Sequence, residues 1–89
     1  MVVKPYTEQV RHNTRTRKFS TLTESDELVW HRDATDREVH VLEGLGWHFQ
    51  MDNELPVPLN PGDVIHIPRE TYHRIIKGKT DLTVKIIDK

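Results

Sequence analysis

Six histidines and fourteen acidic residues stand in a chain of 89 residues that contains no cysteine. Imidazole nitrogen and carboxylate oxygen are therefore its ligand set, suited to proton transfer near neutral pH and to divalent cations. The lack of cysteine excludes a disulfide framework, a thiolate zinc site and a cysteine nucleophile. No catalytic serine arrangement, phosphate-cradling glycine loop or nucleotide motif is present. The histidines are not equivalent. His12 lies in a polar segment and reads as solvated, whereas His40, His48 and His66 alternate with apolar neighbours, the pattern of outward strand residues. If His66 turned inward instead, it would add an imidazole to the interior.

The elements that must position such groups are short strands. Val39 and Val41 alternate with Glu38 and His40, and Trp47, Phe49 and Met51 alternate with His48, Gln50 and Asp52. Further strands are expected over Leu28 to His31, Leu55 to Leu59, Val64 to Ile67, His73 to Ile76 and Leu82 to Ile87. Turns at Asp52-Asn53-Glu54, Asn60-Pro61-Gly62-Asp63 and Lys77-Gly78-Lys79 separate the later ones. Pro56, Pro58, Pro61 and Pro68 exclude a helix interior there and fit only sheet edges, strand starts or loops. Strands at this spacing indicate an all-β antiparallel sandwich or barrel.

Eighty-nine residues make one small domain with a thin stability margin. Residues 1–27 read as an N-terminal strand or arm and residues 28–89 as the barrel. The apolar share is 35%, about 40% with glycine included, below the ~45–50% of typical globular chains, so a partner subunit would help complete the core. A net charge of −1 removes the whole-chain argument for nucleic acid or an anionic membrane, although Lys4, Arg11, Arg15, Arg17 and Lys18 face only Glu8 in the first twenty positions. No run approaches the roughly 18 apolar residues of a membrane span, and the N-terminus lacks a basic start and an apolar core, so a cytoplasmic protein is expected.

Two segments together resemble the cupin family of small double-stranded β-helix, or jelly-roll, barrels. Gly62 to His73 resembles the second cupin motif, G-x5-P-x-G-x2-H-x3-N, matching at Gly62, Pro68 and His73. Its inner glycine is replaced by Glu70 and its terminal asparagine by Lys77, so a differently shaped loop is expected. His31 to Gly44 resembles the first motif, G-x5-H-x-H-x(3 or 4)-E-x6-G, through Val41-Leu42-Glu43-Gly44. Counting back from Gly44 puts Arg37 at the family's glutamate and His31 and Asp33 at its two histidines, while Ser25 stands at the opening glycine. The resemblance covers roughly residues 28 to 87, and within the family it is similar to the short stand-alone cupins, some of them phage-encoded.

Family cupins commonly hold iron, manganese, nickel or zinc on three histidines and a glutamate. The resemblance therefore implies a divalent transition metal on His31, Asp33 and His73, a two-histidine, one-carboxylate set of the type that binds non-haem iron(II). His31 and Asp33, two apart, would point the same way into the barrel. Arg37 is the difficulty. Facing inward, its permanent charge would repel the cation or pair with Asp33, and either outcome weakens metal binding. The alternative, longer spacing makes Glu38 the ligand and turns His40 and Leu42 inward, because a one-residue slip reverses every side chain. Arg37 inward is favoured, since it buries Val39 and Val41.

The sequence leaves three functions open: a metal-dependent small-molecule enzyme; a non-catalytic cupin that holds a small anionic or sugar-like ligand through Arg37, His31 and His73, framed by Trp47, Phe49 and Tyr72; and a structural protein whose cavity is vestigial. Trp47, Phe49 and Trp30 also read as core. An Arg37 to Asp33 ion pair is the purely structural reading of those two residues. A homodimer is expected, with residues 15–22 as the candidate contact.

Overall fold

A computed structural model describes residues 6–11, 13–22 and 28–89 of the chain, and for residues 6–11 the backbone course alone. Eight strands run in the order β1 Tyr6–Arg11, β2 Thr14–Phe19, β3 Arg37–Glu43, β4 His48–Met51, β5 Val57–Pro58, β6 Val64–Ile67, β7 His73–Ile76 and β8 Leu82–Asp88. All pairings are antiparallel, in a five-stranded sheet of order β1-β2-β8-β3-β6 and a three-stranded sheet of order β5-β4-β7. Among the described residues there is no helix long and apolar enough to cross a membrane.

The all-β architecture follows from the period-two pattern. In β8, Leu82, Val84 and Ile86 are buried while Thr83, Lys85 and Ile87 are not. In β3, Val41 is buried, and Arg37 and Val39 line the interior cavity. Phe19, Trp47, Phe49, Leu59 and Ile67 complete a core shared by the two sheets. Burying two valines outweighs exposing them by a few kcal/mol, which fixes the β3 register with Arg37 inward and Glu38 outward. The Glu38 alternative is therefore not adopted. Glu38 instead lies 2.7 Å from His40 Nε2 and 3.0 Å from Lys89 Nζ.

Two strand expectations change. Leu28 to His31 is not a strand: Val29 and Trp30 are exposed, and only His31 pairs, through an isolated bridge to His73. The expected strand at Leu55 to Leu59 shrinks to Val57–Pro58, because Pro56 and Pro58 remove ladder donors. Residues 15–19 of the candidate dimer contact lie in strand β2, whose two edges pair with β1 and β8, and the free edges of that sheet belong to β1 and β6. Strands β1 and β2 belong to the larger sheet. His12 and Ser25 lie outside the described residues.

The turns are built as their residues suggest. Asn53 takes a positive φ of 61°, which asparagine tolerates better than most residues. Gly44, at φ 145°, closes the first motif where a Cβ would lie 2.8 Å from Leu82 Cδ1. Glu70, in the second-motif glycine position, also has positive φ, at 60°. The loop thus adopts a backbone conformation that glycine enters freely, although the side chain there is glutamate.

Candidate metal centre

His73 opens β7 and His31 lies opposite it. The amide of His31 donates to the His73 carbonyl at 3.0 Å, and the amide of His73 donates to the His31 carbonyl at 2.8 Å. Directly paired residues share a face of the sheet, so both imidazoles turn to the same side, with ring centroids 4.3 Å apart. Their sequence neighbours turn outward. There the Arg74 guanidinium sits 4.9 Å from the Trp30 ring and that of Arg32 5.4 Å from the Tyr72 ring, two cation–π pairs that flank the bridge on the outer face.

Each imidazole is oriented by its own backbone. His31 Nδ1 lies 2.8 Å from the Val29 carbonyl and His73 Nδ1 2.8 Å from the Thr71 carbonyl. A carbonyl can only accept, so both Nδ1 atoms carry the proton and Nε2 is the nitrogen presented inward. This is the arrangement of metal-binding imidazoles, whose second nitrogen is held by a backbone or carboxylate oxygen. His48 makes a similar contact with the Gly46 carbonyl at 3.1 Å, but on the opposite face of β4 from buried Phe49. What separates His31 and His73 is their convergence.

Asp33 joins them from the loop that follows His31. Its carbonyl accepts from the Glu70 amide at 2.7 Å, and the Asp36 carboxylate accepts from the Arg69 amide at 2.7 Å, so the motif-two loop braces this segment. The Asp33 carboxylate is divided: Oδ2 lies 3.2 Å from His73 Nε2 and Oδ1 3.3 Å from Arg37 Nη1. Burial pushes its carboxyl up, but the His73 contact, then the charge of Arg37, and the two imidazoles outweigh that and hold it below the usual range.

One ligand atom from each of His31, Asp33 and His73 can be chosen such that all lie within 4.8 Å of one another. A metal with bonds of about 2.1 Å sets adjacent donors roughly 3.0 to 3.4 Å apart in octahedral or tetrahedral geometry. The His73 to Asp33 separation of 3.2 Å falls in that range. Asp33 Oδ2 is buried, and its contact with His73 lacks the direction of a hydrogen bond. The donor set fits a divalent transition metal, and the structure brings together His31, Asp33 and His73, the three residues that the resemblance singled out.

Arg37 also lies where the sequence reading put it, facing inward with 14% of its side chain exposed. Its Nε donates to Asp88 Oδ1 at 3.2 Å while Nη1 faces Asp33. Asp88 in turn accepts from Arg15 and, at 3.2 Å, from Thr35 Oγ1. The Asp33 pairing expected for Arg37 is therefore present, and Asp88 is a second partner that sequence reasoning missed. Arg17, 5% exposed and lining the cavity, was missed as well. Alternation carried both signals, since Arg15 and Arg17 share the face of Phe19, and Asp88 that of Leu82, Val84 and Ile86.

The cavity has a volume of about 50 Å³. Arg17, Asp33, Arg37 and His73 form its polar lining, while Val39, Phe49, Ile65, Ile67, Ile75 and their β8 neighbours make the apolar wall. Two expected wall residues are absent from it. Trp47 is 1% exposed in the core, its indole N–H donating to the Thr80 carbonyl, and Tyr72 is 45% exposed on the outer face beside Arg32. Trp47 shares the face of Phe49 but packs with Phe19 in the core, whereas strand alternation explains Tyr72, which adjoins inward His73 and so points outward. Trp30, expected in the core, is exposed on that same face for the same reason. His66 is exposed, and His40 and His48 are only partly buried.

Comparison with known proteins places the fold. No protein-family model matches the chain, and no curated protein sequence does. Solved structures do match. A cupin domain from Bordetella pertussis Tohama I has a TM-score of 0.66 at 19% identity, over 100% of this chain and 99% of that one. A cupin-2 domain-containing protein from Shewanella frigidimarina NCIMB 400 has a TM-score of 0.66 at 17% identity, over 99% and 85%. The FeII form of HppE in complex with substrate has a TM-score of 0.69 at 18% identity, over 94% of this chain and 52% of that one. This chain therefore spans about half of that protein. The fold is that of a cupin β-barrel.

Proposed function

We propose that this small cupin-fold protein binds one divalent transition metal ion, such as iron, manganese, nickel or zinc, through His31 Nε2, His73 Nε2 and one Asp33 oxygen. The observation that carries the proposal is the convergence of these three donors within 4.8 Å, with Asp33 and His73 lining the polar end of a small cavity. Two backbone-oriented imidazoles and a carboxylate form a set that leaves coordination positions for water or a small molecule. A metal bound there supplies Lewis acidity toward a small oxygen-bearing ligand or, if iron, a site for dioxygen. The chain's own residues hold the donors in place, exclude bulk water through the apolar wall, and set an arginine beside the carboxylate. Elemental analysis after reconstitution with iron(II), manganese(II), nickel(II) and zinc(II) tests this reading. About one metal per chain is expected, and no stoichiometric uptake of any of the four would overturn it.

A second reading, binding of a small anionic or sugar-like ligand through Arg37 with His31 and His73, is supported by the two arginines, Arg17 and Arg37, that line the cavity. It is weakened by Asp33 and Asp88, which already face the Arg37 guanidinium. A thermal-shift screen of small acids and sugar phosphates that finds a ligand whose effect vanishes in Arg37→Ala would favour it. We also propose a homodimer in the cytoplasm, its contact at a free sheet edge such as β6 rather than at paired β2. A monomeric mass by light scattering at micromolar concentration would count against the dimer.

A further inference from the structure

Asp88 is a charged residue that the metal reading leaves without a part. It ends β8 directly opposite Arg37 and lies 51 residues from it in sequence. Its Oδ1 accepts from Arg37 Nε at 3.2 Å and from Thr35 Oγ1 at 3.2 Å, and its Oδ2 accepts from Arg15. Arg15, Asp88, Arg37 and Asp33 therefore form a row of alternating charge that ends 3.2 Å from His73 Nε2. The side chains of Arg37 and Asp33 are 14% and 13% exposed, so water screens them poorly and each charge is felt at its neighbour. A guanidinium beside Asp33 opposes a cation on that carboxylate, and a carboxylate on the far side of the guanidinium offsets the opposition.

We propose that Asp88 is a positioning residue that tunes metal affinity at His31, Asp33 and His73 through Arg37, without touching any ligand. By holding Arg37 Nε, Asp88 keeps the guanidinium on the β8 side and cancels part of the charge a metal would otherwise meet. Arg37 is the brake on the site and Asp88 the group that relieves it, while Arg15 draws on the same Asp88 carboxylate and limits that relief. The inference rests on the metal reading above.

Cobalt(II) titration of the 89-residue chain, followed by its d–d absorption, tests it. Asp88→Asn is expected to weaken cobalt binding about tenfold and Arg37→Met to tighten it about tenfold, the scale of outer residues around metal sites. In the Arg37→Met background, Asp88→Asn should change affinity less than about threefold, because Asp88 acts through Arg37. Arg15→Met breaks an ion pair to the same carboxylate yet should tighten binding, whereas general loosening of the fold would weaken it in both variants. Should Asp88→Asn not fold by circular dichroism, the tightening in Arg37→Met and Arg15→Met carries the test. Equal weakening by Asp88→Asn with and without Arg37, or weaker binding in Arg15→Met, overturns the proposal and leaves the metal site standing. A wild-type chain that binds no cobalt overturns both.

Discussion

His31 and His73 exchange both backbone hydrogen bonds, at 3.0 and 2.8 Å, across a bridge that belongs to no regular strand of His31's own. A single bridge is a slender attachment, and the segment bearing His31 and Asp33 is held further by the Glu70 and Arg69 amides and by the Arg–aromatic pairs outside. The candidate site thus depends on a loop fixed to the sheet at a few points, with the most buried of its three residues, His73, on the sheet itself.

The ligand set separates histidines by position. His31→Ala and His73→Ala should each weaken cobalt(II) binding by more than about a hundredfold, beyond what loss of an outer residue brings. His66→Ala, on the exposed face of β6, should bind as the wild type does. Calorimetric titration of the three variants checks this, and equal affinities would remove His31 and His73 from the site.

Glu70 holds a positive φ that disfavours any residue with a Cβ. Glu70→Gly should be more stable than Glu70→Ala by about 1 kcal/mol, since both lose the exposed Arg32 contact and only glycine is at ease in that conformation. Urea unfolding of the pair measures the difference. Equal midpoints would mean that the loop carries no strain there.

Register in β3 can be read by paired truncations. Val41 is 2% exposed and its neighbour Leu42 46%. Val41→Ala should lose about 2 kcal/mol and Leu42→Ala less than about 0.5 kcal/mol, although leucine is the larger side chain. The reverse order in chemical denaturation would indicate the register with Glu38 inward.

Acid sensitivity follows from Asp88. Burial pushes its carboxyl up, but the hydrogen bond from Arg15, the charges of Arg15 and Arg37, and Thr35 hold it below the usual range. A carboxyl whose folded value is depressed stabilises the fold above its unfolded value of about 3.9, and that contribution is lost as pH falls through the folded value. Melting temperatures of Asp88→Asn should therefore fall less steeply than those of the wild type from about pH 4 downward. Parallel curves would rule out this contribution.

Much of the architecture was legible because burial in a thin sheet imposes period two on the sequence. The ranges Val64–Ile67 and His73–Ile76 match expectation residue for residue, and Arg37 facing inward followed from Val39 and Val41. Leu28 to His31 was misjudged because β-rich composition describes what a strand can accept, not whether a partner lies alongside. Tyr72 was offered to the cavity by residue type, whereas alternation turns it outward; Trp47, read both as cavity wall and as core, is core.

By itself the sequence determined the all-β fold and the inward face of each long strand, because these are local properties of spacing and polarity, and the resemblance singled out His31, Asp33 and His73 as candidate donors. Only the tertiary structure decided which charges meet. Arg37 could have faced a metal, a ligand or a carboxylate; it faces both Asp33 and Asp88 because β8 returns beside β3 in antiparallel register and sets Asp88 across from it. Electrostatic partners are chosen by distance in space, and the closure of the sheet sets that distance.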